Sequence, residues 1–155
     1  MTDKTSIEQY RSEAALVRDF VDALISGEDL AVLTSPDVAQ EFDYRAGRAD
    51  VVSVSVTGEV VAFEAKLDRW RDALHQAYRN TSFAHRSYVV LPLAVAERAA
   101  SFSAEFEQRR VGLCAIQHGV VTVLHEAPRH DPVQPWLTQL AIVHARATVR
   151  SRAEA

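Results

Sequence analysis

Apolar residues recur three and four apart at Ala14, Leu16, Val17, Phe20, Val21 and Leu24. That spacing predicts an amphipathic helix from about Ser6 to Ile25, ended by Gly27. Glu28 to Pro36 follows no period and reads as a loop or a short extra turn. Val38 to Tyr44 alternates weakly, as a first strand would. Val51 to Val56 and Val60 to Leu67 are rich in β-branched residues and flank Thr57-Gly58, the signature of a hairpin. Asp68 is placed to cap a helix with a buried stripe of Trp70, Ala73, Leu74, Ala77 and Tyr78. Ser87 to Leu91 forms a strand that Pro92 stops. Val95, Ala99, Phe102 and Phe106 then define a helix closed by Gly112. A second hairpin pairs Leu113–Ile116 with Val120–Leu124 across His118-Gly119. The last helix runs from about Pro135 to Val149 and buries Trp136, Leu140 and Val143, with residues 150–155 fraying beyond it.

This order is α/β: a central mixed β-sheet flanked by helices. At 155 residues, 48% of them hydrophobic and without internal repeats, the chain is sized for a single domain that buries most of its apolar surface. Its one cysteine, Cys114, sits in a strand-like run and permits no internal disulfide, which suits a reducing cytoplasm. No secretory signal is visible, and Pro92 interrupts the longest apolar run, so no membrane span is expected. The net charge of -4 argues against indiscriminate coating of nucleic acid. Charge is nevertheless uneven, since Lys66, Arg69, Arg71, Arg79 and Arg86 face only Asp68 and Asp72 along one short segment.

Chemistry concentrates between Gly47 and Gln76. Gly47-Arg48-Ala49-Asp50 leads into the first hairpin strand, and Val60-Val61-Ala62-Phe63-Glu64-Ala65-Lys66 forms the second. A strand Glu and Lys two apart share a face and could be an exposed ion-pair ladder. The apolar run before Glu64 argues instead for a strand buried on both faces, where a charged pair is costly unless it has a role. Asp50 stands fourteen residues before Glu64, a helix bearing Gln76 follows, and the strand Ser87-Tyr-Val-Val-Leu-Pro92 comes next. In these features the chain resembles the PD-(D/E)XK nuclease superfamily, over about residues 6–92. The resemblance implies a restriction-endonuclease-like core (αβββαβ), with residues 93–150 a helix, hairpin and helix extension. One departure is Asn80, where the group often places a tyrosine.

By that resemblance Asp50 and Glu64 would each offer an oxygen to Mg2+, or to Mn2+ as a substitute, and the Ala65 carbonyl could add a third. Lys66 would orient the attacking water or stabilise charge on the phosphate, and Gln76 would hold the water or a phosphate oxygen. The first helix of the superfamily often carries a further glutamate: Glu13 is favoured over Glu8, and Glu41 competes from the first strand. Arg48 could contact a nucleic-acid backbone, or pair with Asp50 or Glu41, and Arg69, Arg71 and Arg79 belong to the same basic segment. Geometry sets one condition. A plain two-residue turn at Thr57-Gly58 would place Asp50 opposite Ala65, facing away from Glu64 and Lys66. A functional site therefore requires a three-residue turn or a β-bulge.

The six histidines lack zinc-ligand spacings, and neither a Gly-rich phosphate loop nor a Gly-x-Ser-x-Gly elbow occurs. Two functional classes remain. One is a metal-dependent endonuclease or exonuclease hydrolysing DNA, with DNA favoured over RNA, in repair, restriction or mobile-element defence. The other is a nuclease-fold module that binds nucleic acid or a partner protein without cutting. Small size and net acidity favour a homodimer or a protein partner, because affinity for nucleic acid comes largely from neutralised phosphates.

Overall fold

Six strands form one mixed sheet in the order β1-β2-β3-β4-β5-β6. The computed structural model describes residues 10–26 and 37–154, with side chains as far as Thr148. The expected loop at Glu28–Pro36, Glu8 and a helix start at Ser6 lie outside them. Helix α1 (Glu13–Ser26) begins with Ser12, whose Oγ accepts the Ala15 N–H at 3.1 Å. That cap satisfies a first-turn donor and fixes the start later than periodicity suggested. Strands β1 (Asp37–Tyr44), β2 (Gly47–Val54) and β3 (Val60–Ala65) are joined antiparallel, and α2 (Trp70–Asn80) leads to β4 (Arg86–Pro92), parallel to β3. Next come α3 (Leu93–Ala100), α4 (Ser103–Arg109) and the hairpin of β5 (Gly112–Gln117) with β6 (Val120–His125). Helix α5 (Pro135–Glu154) follows. Because β5 extends the sheet in parallel with β4, residues beyond Pro92 share the sheet of the first half.

One sheet face is covered by α1, with Leu16, Phe20 and Leu24 packed on Val61, Phe63 and Tyr88. The opposite face carries α2, α3 and α4 over β4 and β5, and α5 over β1 to β3. All of β3 is buried, as expected of a central strand covered on both sides.

Several local expectations change. Asp68 does not cap α2; the N-cap is Arg69, and Asp68 pairs with Arg98 at 3.5 Å. Tyr78 is exposed, while Asn80 takes the buried position one turn beyond Ala77. The helix expected before Gly112 is two helices, and Arg110, at φ +56, ends the second. Gly112 lies instead within β5, where a Cβ would fall 2.4 Å from the Tyr88 ring and 2.7 Å from the Ala127 nitrogen. Helix α5 buries Leu137, Ala141, Ile142 and Ala145, not Trp136, Leu140 and Val143. The aromatic side chains of Phe42, Tyr44 and Phe83 fill that side of the sheet and leave room for the alanine-rich stripe. Instead of fraying at Arg150, the helix continues to Glu154.

Candidate active site

The β2–β3 connection sets the geometry. Ser55 N–H donates to the Glu59 carbonyl at 3.0 Å and Gly58 N–H to the Ser55 carbonyl at 3.0 Å, enclosing Val56, Thr57 and Gly58. Gly58 adopts φ +88, the left-handed conformation that such a three-residue loop takes at its end. Val54 then pairs with Val60 and Val51 with Phe63, so the next step brings Asp50 level with Glu64 rather than Ala65. The register that a site requires is present.

At that level the regular ladder opens. Asp50 Oδ2 accepts the Ala65 N–H at 2.8 Å, a side chain taking the acceptor role of a strand carbonyl. On the other side of β2, Glu41 lies between the pairs Gln40–Val51 and Phe42–Ala49 and has φ +55. A non-glycine residue in the left-handed region beside a ladder gap is the local distortion that re-aims side chains at strand level. Glu41 itself is exposed and not among the residues of the cleft.

Asp50, Glu64, Lys66 and Gln76 line one cleft of about 270 Å³, together with Glu13, Tyr44, Gly47, Arg48 and Arg79. Glu64 is the buried member, 1% exposed. Its Oε1 accepts from Asn80 Nδ2 at 2.8 Å, and Asn80 Oδ1 accepts from the Tyr44 hydroxyl at 2.6 Å. Burial, and then the neighbouring Asp50 charge, push the Glu64 carboxyl up to about 9, against the pull of the Asn80 bond. Burial likewise raises the Tyr44 hydroxyl to about 12, with the Glu64 charge adding to it. Lys66 is 24% exposed, and its Nζ stands 3.7 Å from Glu13 Oε1.

Two site expectations are revised. Glu13 borders the cleft but pairs with the lysine instead of joining the two carboxyls, and among the described residues no three His, Cys, Asp or Glu gather as a metal cage. The basic segment also divides. Arg48 and Arg79 reach the cleft, and Arg48 pairs with Asp43 at 2.6 Å rather than with Asp50 or Glu41. Arg69 and Arg71 line a separate hollow with Trp70 and Phe102. There Arg69 pairs with Asp72 at 3.0 Å, and Arg71 grips Glu105 at 3.1 and 3.0 Å while stacking on Trp70. Arg86 is tied to Glu59. Arg71 and Arg79 stand eight residues apart on α2, a rise of about 12 Å, so they serve opposite ends of that helix.

The remaining donor set still fits a small hard cation. All of its members are oxygens, and the burial and Asp50 charge that push the Glu64 carboxyl up are what a bound cation would offset. Asp50 and Glu64, with the Ala65 carbonyl, are the groups that would hold Mg2+.

Sequence reasoning passed over Tyr44 and Asn80 as members of the site. For Asn80 a signal existed: a polar residue three positions after Ala77 and six after Leu74 falls on the buried stripe of α2 and requires a partner.

No protein-family model matches the chain, and no curated protein matches it by sequence. Among solved structures it is similar to the SPO1766 protein of unknown function from Silicibacter pomeroyi. The superposition has a TM-score of 0.56 at 20% identity and covers 76% of this chain and 77% of the other. At that identity the likeness concerns the fold alone. Among the described residues no helix is long and apolar enough to cross a membrane.

Proposed function

We propose that this chain is a metal-dependent phosphodiesterase of the PD-(D/E)XK type that hydrolyses DNA in the cytoplasm. The observation that carries the reading is the meeting of Asp50, Glu64 and Lys66 in one cleft through the three-residue β2–β3 loop. A phosphodiester is a poor electrophile surrounded by negative charge, so its hydrolysis needs both a compensated phosphate and a water made nucleophilic near neutral pH. Bound Mg2+ supplies Lewis acidity and lowers the pKa of a water. The protein's part is positional. Asp50 is anchored by the Ala65 N–H and Glu64 by Asn80, which fixes both carboxyls before any ligand arrives. Glu64 must give up its proton for the cation to bind. Lys66, released from Glu13, places a point charge beside the scissile phosphate, and Gln76 can hydrogen-bond the water or a phosphate oxygen. Arg48 and Arg79 at the rim would meet flanking phosphates.

The test is cleavage of labelled linear, circular, branched and single-stranded DNA with Mg2+ or Mn2+ by the wild type, Lys66→Ala and Asp50→Ala. Wild-type cutting that both substitutions reduce by at least ~100-fold, with folding intact, is expected. Cutting that survives both would remove these residues from the mechanism. Absence of cutting, with DNA bound equally well with and without metal, would mean a non-catalytic binding module.

A further inference from the structure

Helix α5 is apolar on two opposite sides. Its inner stripe of Leu137, Ala141, Ile142 and Ala145 packs on the sheet. On its outer side Trp136, Leu140 and Val143 are 56%, 52% and 64% exposed, and Ala147 is exposed with them. Val133, 80% exposed just before the helix, belongs instead to a separate hollow with Tyr78 and His130. The four helical positions are separated by four, three and four residues, so they fall within one narrow strip. No charged residue interrupts the strip. Contiguous apolar surface of this kind on a folded domain marks an interaction site.

We propose that a second copy of this chain covers the strip, α5 packing antiparallel on α5 about a two-fold axis between residues 141 and 142. Self-complementarity is the reason. The 4-3-4 spacing is the seam of a helix pair, and knobs of one helix need holes of matching size in the other. Antiparallel alignment about that axis sets Trp136, the largest member, against the partner's Ala147, the smallest, and sets Leu140 against the partner's Val143. Parallel alignment would set Trp on Trp and Ala on Ala, overfilling one layer and emptying another. Among the described residues, the charged groups beside the strip are paired within the chain, Asp131 with Arg129 at 3.6 Å and Arg146 with Asp37 at 3.6 Å, so neither end presents an unmatched charge to a second copy. The antiparallel sense also opposes the two helix dipoles. The eleven steps from Trp136 to Ala147 rise about 16 Å. With the rim around them, such a crossing would remove on the order of 600 Å² from each copy, the lower range for a specific interface. None of the residues lining the catalytic cleft belongs to the strip, so both clefts would stay open. This inference does not depend on the nuclease reading.

Mass in solution, by light scattering on the full chain, tests it. The wild type is expected at twice 17.2 kDa. Leu140→Glu and Val143→Glu should each halve that mass while keeping the wild-type circular dichroism, since both side chains are more than half exposed. Orientation is read by mixing single-cysteine variants: Leu140→Cys mixed with Val143→Cys should cross-link well, and neither should do so alone. The native Cys114 is buried and does not compete. A wild type of single mass, whether or not it binds vesicles or another protein, overturns the proposal. Double mass persisting in both Glu variants, or strongest cross-linking between like cysteines, also overturns it.

Discussion

Glu64 carries the largest electrostatic consequence of any one residue in the cleft. Its carboxyl is raised to about 9 from an ordinary 4.5, so the folded protein holds that proton more tightly than the unfolded chain. The stability contributed by the neutral form is fully present below the ordinary value and is lost as pH rises through about 9. Thermal melts of metal-free protein should therefore show falling stability from pH 5 to 9, and Glu64→Gln should flatten the fall and melt higher at pH 8. Added Mg2+ should raise the wild-type midpoint at pH 8 and leave Glu64→Gln unmoved. Equal pH slopes for the two proteins would show that Glu64 is ionised without metal. The Tyr44–Asn80–Glu64 chain explains why this carboxyl persists in a buried place: every polar atom named in it has a partner.

At the level of elements, two turns and one close approach hold the sheet around the site. The Val56–Gly58 loop fixes the β2–β3 register, and His118 and Gly119, at φ +50 and +73, form the tight turn of the second hairpin. Gly112 permits the approach of β5 to Tyr88, a fully buried ring that stacks on Phe63 beside Glu64. A Cβ there meets both a packed ring and a backbone nitrogen, neither of which can move cheaply. Gly112→Ala is expected to destabilise the protein by ~1–3 kcal/mol, the range of an overpacked core, measured by denaturant unfolding. A change under ~0.5 kcal/mol would mean that β5 shifts freely against Tyr88.

For the whole molecule, the division of basic side chains decides how a chain of net charge -4 could hold DNA. Arg79 and Arg48, the latter paired with Asp43, face the cleft, whereas Arg71 is paired with Glu105 at a different hollow. In metal-free buffer, DNA affinity followed by fluorescence anisotropy against salt should lose about one unit of slope for each of Arg48→Ala and Arg79→Ala. Arg71→Ala should leave the slope near that of the wild type. The reverse ranking would place the DNA path over Trp70 and Phe102 instead of the cleft.

The sequence by itself determined the α/β class and the order of strands, because alternating and helical periods and turn residues are local signals. It also marked Glu64 and Lys66, since an apolar run ending in a charged pair is unusual for a solvated strand, and the resemblance to the PD-(D/E)XK superfamily added Asp50 and Gln76. Tertiary structure decided the rest. Trp136, Leu140 and Val143 lie outward because α5 has two apolar stripes, and only the shape of the sheet selects between them. Asn80 meets Glu64 across 16 residues of chain and Tyr44 meets Asn80 across 36, a partnership that no local pattern contains. Arg69 and Arg79, close in sequence, are separated by the length of one helix. Local patterns specify what each segment can be; burial and packing choose which of its faces is used.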